Sequence, residues 1–266
     1  MNKDDFQEIV WQRGRELYRD MPWRVDTDPY YVLVSELMLQ QTQVDRVVPK
    51  FNAFIAQFPD IKTLATASLA DVLILWNGLG YNRRAKFLHD AARKITLEFN
   101  NTIPATHVEL ITLPGVGPNT AGAIRAYGFD QPAIFIETNI RTVYFYHFFE
   151  ARNDVTDTEL YELVASTLDQ ERPRQWYQAL MDYGTYLKKQ GSGQIRKSKQ
   201  YVKQSTLKGS IREVRGKIIR ALTLGDSSES ELLINLEADE RYRLALDGLI
   251  RDGLVTQTGT VLHLTK

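Results

Sequence analysis

Apolar residues recur every three or four positions from the N-terminus to about Lys189, and this helical period restricts the possible folds more than any other feature of the chain. The period is seen in FQEIVWQRGRELY, YYVLVSELML, VVPKFNAFIAQF, LADVLILWNGL, RRAKFLHDAARKITLEF, NTAGAIRAYGF and ELYELVASTLDQ. Prolines and glycines separate these segments, at Pro22, Pro59, Gly78, Gly80, Pro104, Pro114, Pro118 and Pro132. Residues 1–190 are therefore predicted to form an all-α bundle of short helices.

The rest of the chain has a different character. Residues 191–210 are polar, basic and rich in glycine and serine, which predicts a linker. In residues 211–266, three helical patterns (IREVRGKIIRAL, ESELLINL and DERYRLALDGLIRDG) precede two strand-like runs around a Thr-Gly turn. This order is typical of a small winged-helix-like domain. Such domains bind DNA through the third helix or contact only proteins, and the sequence leaves both readings open.

The 266 residues include no cysteine, which excludes disulfides, cysteine nucleophiles, thiolate zinc sites and cysteine-ligated iron–sulfur clusters. The four histidines are scattered, so a histidine metal centre is not expected. No stretch approaches the length of a membrane span, and the start MNKDDFQEIV lacks the character of a targeting signal. We therefore expect a cytoplasmic protein that does not bind membranes.

A formal net charge of zero hides a basic segment. Between Lys188 and Arg220, Glu213 is the only acidic residue. The segment is either a solvated linker or a surface that neutralises the phosphates of a nucleic acid. Lys188, Lys197 and Lys199 are its candidate DNA-binding residues.

The stretch LPGVGPNTAGAIRAYGF at residues 113–129 places two glycines in a turn before a helix. Pro118 is suited to the first helical position. Backbone N–H groups in such a turn form an anion nest, although a structural corner between helices would use the same residues. With the helical pattern HVELITL before it, the stretch predicts a helix-hairpin-helix that holds a DNA phosphate.

Two acidic residues occupy unusual positions. Glu36 in VSELMLQQTQV lies among apolar residues, where a carboxyl either keeps its proton near neutral pH or is satisfied by hydrogen bonds. Glu137 in AIFIETNIRTVYFYHFF separates an apolar run from an aromatic helix. Glu137 is a candidate helix cap or a candidate second carboxylate of an active site.

Several motifs together resemble the helix-hairpin-helix base-excision glycosylase superfamily, in order over roughly residues 6–190. They are PWR at Pro22, DPYYVLVSELMLQQTQV at Asp28, LWNGLGYNRRAKFLH at Leu75, LPGVGPNTAGAI at Leu113, IETNIRTV at Ile136 and MDYG at Met181. SELMLQQTQV and GLGY are more similar to the MutY-type adenine DNA glycosylases than to endonuclease III. The resemblance implies an all-α helix-hairpin-helix bundle.

The resemblance also implies catalytic roles for two acids. Glu36 matches the glutamate that protonates adenine, which is otherwise a poor leaving group. Glu137 matches the carboxylate that stabilises the positive charge developing on the sugar, as in glycosidases with two carboxylates. The superfamily carries aspartate at that position, so this chain departs from it by one methylene. Asn139 matches a polar neighbour of the second acid.

Other positions match residues that contact DNA. The resemblance places Arg19 near the extruded adenine and Leu39 in the wall of its pocket. It places Gln41, Thr42 and Tyr81 in the duplex beside the opposite base, where wedging assists base flipping. Gly115 and Gly117 match the hairpin glycines, followed by Asn119 and Thr120. Position 119 holds a Schiff-base lysine in bifunctional relatives, and because asparagine cannot form the imine, no lyase activity is expected.

This chain differs from the MutY-type family in two larger features. Lys188 stands where the family places the first cysteine of its iron–sulfur cluster, so no cluster and no other cofactor is expected. Whether the hairpin binds a monovalent cation stays open. The C-terminal residues also do not resemble the Nudix-like domain that reads 8-oxoguanine in MutY enzymes.

The sequence predicts a monofunctional DNA glycosylase of base excision repair that excises adenine opposite 8-oxoguanine or guanine. We expect a monomer that acts on double-stranded DNA in the cytoplasm, associated with the nucleoid. Two alternatives remain: a glycosylase for hypoxanthine, an alkylated purine, uracil or thymine, and a non-catalytic DNA-binding protein.

Overall fold

The computed structural model describes residues 1–150, 152, 154–192 and 206–266. Helices account for most of these residues. They are α1 (Lys3–Glu16), α2 (Pro22–Val25), α3 (Pro29–Leu39), α4 (Val44–Gln57), α5 (Ile61–Thr66), α6 (Leu69–Trp76), α7 (Arg83–Glu98), α8 (His107–Leu110), α9 (Pro118–Phe129), α10 (Thr138–Phe148), α11 (Asp157–Thr167), α12 (Pro173–Lys189), α13 (Ile211–Leu222), α14 (Glu229–Asn235) and α15 (Arg241–Arg251). The strands are β1 (Ser227–Ser228), β2 (Val255–Thr258) and β3 (Val261–Leu264). The predicted all-α bundle is confirmed.

The helices begin where the sequence supplies capping groups. Thr156 and Glu159 form a capping box at the start of α11, each side chain bonding to the other residue's backbone N–H. Asp60 and Ser68 accept backbone N–H bonds at the starts of α5 and α6. Pro118 is the first residue of α9, as predicted, where its missing N–H costs nothing.

Contacts divide the chain into two units. The first contains Met1–Glu36, Ala105–Thr112 and Val116–Lys203. Its core is aromatic, because α10 packs against α12 and α12 also packs against α1. The Phe6 ring lies 5.0 Å from that of Tyr144 and 6.1 Å from that of Trp176, between ring centroids. Burial of such large rings is a major source of stability.

The second unit contains Leu37–Pro104, Leu113–Gly115 and Gln204–Lys266. In it α7 packs against α5 and α6, and α13 packs against α15. Strand β3 lies between β1 and β2, antiparallel to both. The predicted order of three helices and a hairpin is found in residues 211–266, with β1 as an additional short strand. The predicted linker falls mostly on residues 193–205, so Lys197 and Lys199 lie outside the described residues.

No helix in the described ranges combines the length and apolar character that crossing a membrane requires.

Gly184 in the MDYG motif allows α12 to approach α10 closely. A Cβ at this position would lie 2.3 Å from the Asn139 carbonyl oxygen. Gly184→Ala is therefore expected to lower the free energy of unfolding by about 3 kcal/mol through overpacking. Gly216→Ala is the matched control, since a Cβ there meets no atom within 4 Å. Urea unfolding of both variants checks this, and equal midpoints for the two would contradict it.

Candidate active site

Glu36 lies near the end of α3, next to the fully buried Leu33 and Leu37. The residue keeps part of its surface accessible, so a small group can reach it. No hydrogen bond from the described part of the chain reaches its carboxyl. The alternative that Glu36 is a structural glutamate satisfied by hydrogen bonds therefore has no support in the geometry.

Burial raises the pKa of Glu36 well above its usual value, and the nearby Glu137 carboxylate raises that pKa further. Burial also raises the pKa of Glu137, from 4.5 to about 6. The two acids thus titrate as a pair, with Glu137 giving up its proton first. At neutral pH this arrangement favours a protonated Glu36 beside an ionised Glu137, which is the division that acid catalysis by paired carboxyls requires.

Glu137 occupies the N-cap position of α10, with an extended backbone at φ −94° and ψ 169°. Its backbone carbonyl accepts from the Arg141 N–H at 2.9 Å, but its side chain makes no cap hydrogen bond. Aspartate is a strong N-cap residue, whereas the longer Glu137 side chain accepts no hydrogen bond from the first N–H groups of α10. The carboxyl is consequently available to a ligand, although the position itself is that of a cap.

Tyr127 is a residue of this site that the sequence did not indicate. Its hydroxyl is buried and has no hydrogen-bond partner in the described ranges. Burial, Glu137 and Glu36, in that order, raise the pKa of Tyr127 well above its usual value. Tyr127 is therefore close enough to both carboxyls for their charges to act on it, and no hydrogen bond joins these three side chains in the described ranges. Buried polar groups are almost always paired, and an unpaired cluster of titratable groups is typical of a substrate site.

Asn139 is held two residues beyond Glu137 by two side chains of α12. Its amide nitrogen donates to the Thr185 hydroxyl at 3.2 Å, and Lys188 Nζ donates to its amide oxygen at 2.9 Å. Lys188 thus binds Asn139, and the DNA contact predicted for Lys188 stays a prediction. These bonds fix the orientation of the Asn139 amide.

Arg19 belongs to a partly buried ion-pair group around Asp182. Arg19 Nε donates to Asp182 Oδ1 at 2.6 Å, and Arg24 Nη1 donates to Asp182 Oδ2 at 2.7 Å. The Asp182 side chain is 1% exposed, and the two arginines offset the cost of burying its charge. The predicted contact of Arg19 with an extruded base stays a prediction.

Asn119 pairs with the backbone just before Glu137. Its amide nitrogen donates to the Ile136 carbonyl at 3.3 Å, and its amide oxygen accepts from the Ile136 N–H at 3.3 Å. A two-point amide contact of this kind restrains the segment that carries Glu137. Thr120 follows it in the first turn of α9.

The two hairpin glycines serve different purposes. Gly115 has a φ of +79°, and a Cβ there would lie 2.8 Å from Phe87 Cβ. Both the backbone and the space therefore require glycine. Gly117 is the N-cap of α9 at φ −88°, and a Cβ there would meet no atom within 4 Å. Gly117 leaves open space in front of the backbone, which suits the approach of a bulky anion.

Gln41 and Tyr81, two of the predicted wedge residues, adopt left-handed backbone conformations, with φ of 57° and 49°. Such conformations cost non-glycine residues on the order of 1–3 kcal/mol and occur preferentially at functional sites. Gln41 is exposed beyond the end of α3, where Leu39 is the last helical residue. The Thr42 hydroxyl accepts from Arg84 Nη2 at 3.0 Å.

Arg84 is a second residue whose role the sequence did not show. Its guanidinium donates to the carbonyls of Leu37 and Met38, both at 2.8 Å, and of Gly80 at 3.0 Å. The first two are orphan carbonyls at the end of α3, and the third lies in the GLGY loop. Arg84 thereby joins the segments that carry Gln41 and Tyr81. Burial lowers its pKa to about 10, which leaves it charged at neutral pH.

The donor set does not fit a thiolate-ligated cluster, because the chain contains no cysteine.

Residues 34–166 match the HhH-GPD superfamily of base excision DNA repair proteins. The adenine DNA glycosylase of Mycolicibacterium smegmatis is 32% identical over 90% of this chain and 89% of its own length. That of Buchnera aphidicola subsp. Baizongia pistaciae is 36% identical over 64% of this chain. The chain spans about half of the Buchnera protein, 48% of its length.

Solved structures show the same fold. A thermostable thymine-DNA glycosylase superposes with a TM-score of 0.63 at 23% identity, covering 68% of this chain and 85% of that one. A non-covalent endonuclease III–DNA complex superposes with a TM-score of 0.60 at 18% identity, covering 70% and 87%. The family resemblance read from the sequence is confirmed, and the chain belongs to the HhH-GPD superfamily of base excision DNA repair proteins.

Proposed function

We propose that the protein is a monofunctional DNA glycosylase that removes adenine mispaired with 8-oxoguanine or guanine in double-stranded DNA. The observation that supports this proposal most is that Glu36 and Glu137 are close enough to influence each other, receive no hydrogen bond from the described residues, and have pKa values raised to different extents. The relatives named adenine DNA glycosylase support the choice of adenine.

In the proposed reaction the protonated Glu36 donates its proton to the flipped adenine. The bond between adenine and the sugar C1′ then breaks, and the electron pair leaves with the base. Ionised Glu137 stabilises the positive charge on the sugar. One water adds to C1′ and gives a proton to the Glu36 carboxylate, which restores the protonated Glu36 and leaves free adenine and an abasic site. Tyr127 offers a neutral hydroxyl that can hydrogen-bond to the base or to a carboxylate.

The hairpin is proposed to hold one DNA phosphate at the open N-terminus of α9, in front of Gly117. Gln41, Thr42 and Tyr81 are proposed to enter the duplex, with Leu39 and Arg19 near the extruded base. Asn119 uses its amide on Ile136 and has no amine, so no imine chemistry is proposed. The proposed enzyme needs no iron–sulfur cluster and acts as a monomer.

Single-turnover reactions on a panel of duplexes test this function. Adenine is placed opposite 8-oxoguanine, guanine or thymine, and further duplexes carry uracil, hypoxanthine or mismatched thymine. We expect adenine release opposite 8-oxoguanine or guanine, with strand breaks only after alkali. Release of another base while adenine stays in place would replace the assigned substrate. Binding without release from any duplex would support a non-catalytic DNA-binding protein instead.

A further inference from the structure

The second unit contains a cavity of about 710 Å³, and its lining includes none of Glu36, Glu137 and Tyr127. The GLGY loop, the start of α7 and α13 form most of its lining, and the segment after α3, α4, Leu207 and Asp252 contribute the rest. Among the residues that the structure describes, the charged ones in the lining are Arg46, Arg83, Arg84, Arg212, Arg215 and Asp252. Five arginines against one aspartate leave a formal excess of four positive charges. A cavity of this charge favours an anionic ligand.

The single acid is shared between two of the arginines. Arg215 Nη2 lies 2.5 Å from Asp252 Oδ2, and Arg83 Nε lies 3.7 Å from Asp252 Oδ1. Arg46 donates to the Gly78 carbonyl, and its charge contributes, after burial, to the lowered pKa of Arg84. The positive charges are thus close enough to oppose one another. An oxyanion would relieve this repulsion.

Arg212 extends from the first turn of α13 to Tyr81. Its guanidinium donates to the Tyr81 hydroxyl and lies 5.1 Å from the ring centroid. Arg84 lies 5.5 Å from the same centroid. Two guanidiniums thus lie against one aromatic ring, and that of Arg84 already donates to backbone carbonyls. Guanidinium groups are the preferred partners of phosphate oxygens, because their fork of N–H donors matches the oxygen spacing.

The third helix of the C-terminal domain, α15, begins with arginines whose charges are neutralised by acidic residues. Arg241 in α15 lies 3.4 Å from Glu213 and also pairs with Asp239. Arg243 lies 3.1 Å from Glu229 and 3.2 Å from Asp247. Winged helices ordinarily bind DNA through this helix, but here the two arginines of its first turn already have acidic partners. Two arginines of the first helix, Arg212 and Arg215 of α13, line the cavity instead.

We propose that α13 forms a phosphate-binding surface with the GLGY loop, in which Arg212 contacts the phosphodiester backbone of DNA. This inference rests on the proposed DNA substrate and adds a contact from the C-terminal domain to it. The surface takes a phosphate of any sequence, so it contributes affinity and position rather than base selectivity.

Fluorescence anisotropy tests the inference with a labelled duplex that carries a tetrahydrofuran abasic analogue opposite guanine, 8-oxoguanine or thymine. Binding is measured over a range of salt concentrations. Arg212→Ala is expected to weaken binding about tenfold for each opposite base, as loss of a charged hydrogen bond would. The slope of log Kd against log salt should fall by about 1, since one phosphate contact is lost.

Two further variants separate this effect from a structural one. Tyr81→Phe removes the hydroxyl that Arg212 contacts, at a residue proposed to enter the duplex, and is expected to weaken binding; because it keeps every charge, the weaker binding should come with the salt slope of the wild type. Arg243→Ala removes an equal charge from α15. The Arg243 side chain is exposed and already paired with Glu229, so this variant should leave the DNA affinity and the salt slope unchanged.

Three outcomes would overturn the inference: an unchanged slope in Arg212→Ala, a loss confined to guanine-type opposite bases, or a loss in Arg243→Ala alone. The measurement needs no base excision. If the wild type releases no adenine but Arg212→Ala shows the expected change in slope, only the proposed function fails. If adenine is released but the slope is unchanged, only the present inference fails.

Discussion

Glu36→Gln is expected to lower the single-turnover rate of adenine release by at least about a thousandfold, within the range that a positioned general acid supplies. Glutamine keeps the shape of the side chain but has no proton to give to the base. DNA affinity should change little, because the carboxyl makes no hydrogen bond in the described structure. Glu162→Gln is the matched control, since it makes the same chemical change on the exposed surface of α11.

The stability of Glu36→Gln shows whether a loss of activity comes from lost folding. The pKa of Glu36 is higher in the folded than in the unfolded protein, so the folded state binds the proton more tightly and loses stability as the pH rises above the unfolded value. Glu36→Gln removes this cost. At pH 7 the variant should therefore be at least as stable as the wild type, with the difference disappearing near pH 4. An active variant, or an unfolded one, would contradict the assigned role.

Arg84→Ala is expected to lower the free energy of unfolding by about 3 kcal/mol or more, because it leaves several buried carbonyls without a donor. The left-handed conformations of Gln41 and Tyr81 would also lose a group that joins their segments. Arg84→Lys should recover only part of the loss, since an ammonium cannot bond all of these carbonyls at once.

Arg83→Ala is the control for this effect. Arg83 is the preceding residue, and its side chain is 60% exposed and 3.7 Å from Asp252. An exposed pair of this kind contributes less than about 1 kcal/mol. Urea denaturation compares the variants directly. Equal midpoints for Arg83→Ala and Arg84→Ala would show that Arg84 does not stabilise the loop.

Much of the fold followed from local signals. The helical period of residues 1–190 and Pro118 at the start of α9 predicted the bundle and its hairpin, because these features depend on neighbouring residues. The short strand β1 was not predicted. Ser227–Ser228 is too short to alternate, and its pairing with β3 depends on residues more than thirty positions away.

The candidate site was predicted in part. Glu36 and Glu137 stood out because a carboxyl among apolar residues is unusual in any sequence. Tyr127 and Arg84 did not, since an aromatic residue and an arginine in amphipathic helices are ordinary. Their roles arise from tertiary placement: one hydroxyl faces two carboxyls, and one guanidinium reaches the end of another helix. Asn119 was expected to matter for the amine it lacks, but its amide also restrains Ile136.

The pH dependence of adenine release tests the central claim most directly, because it reports which of the two acids carries a proton. Single-turnover rates are measured from pH 4.5 to 8.5 on a duplex with adenine opposite 8-oxoguanine. The structure predicts that the wild-type rate rises with a midpoint near pH 6 as Glu137 ionises and stays high through neutral pH while Glu36 keeps its proton. In Glu137→Gln the rate should be much lower, and it should no longer rise between pH 5 and 7. A rate that falls steadily from pH 4.5 to 7 would mean that Glu36 ionises at its ordinary value, and would contradict the assignment of the two carboxyls.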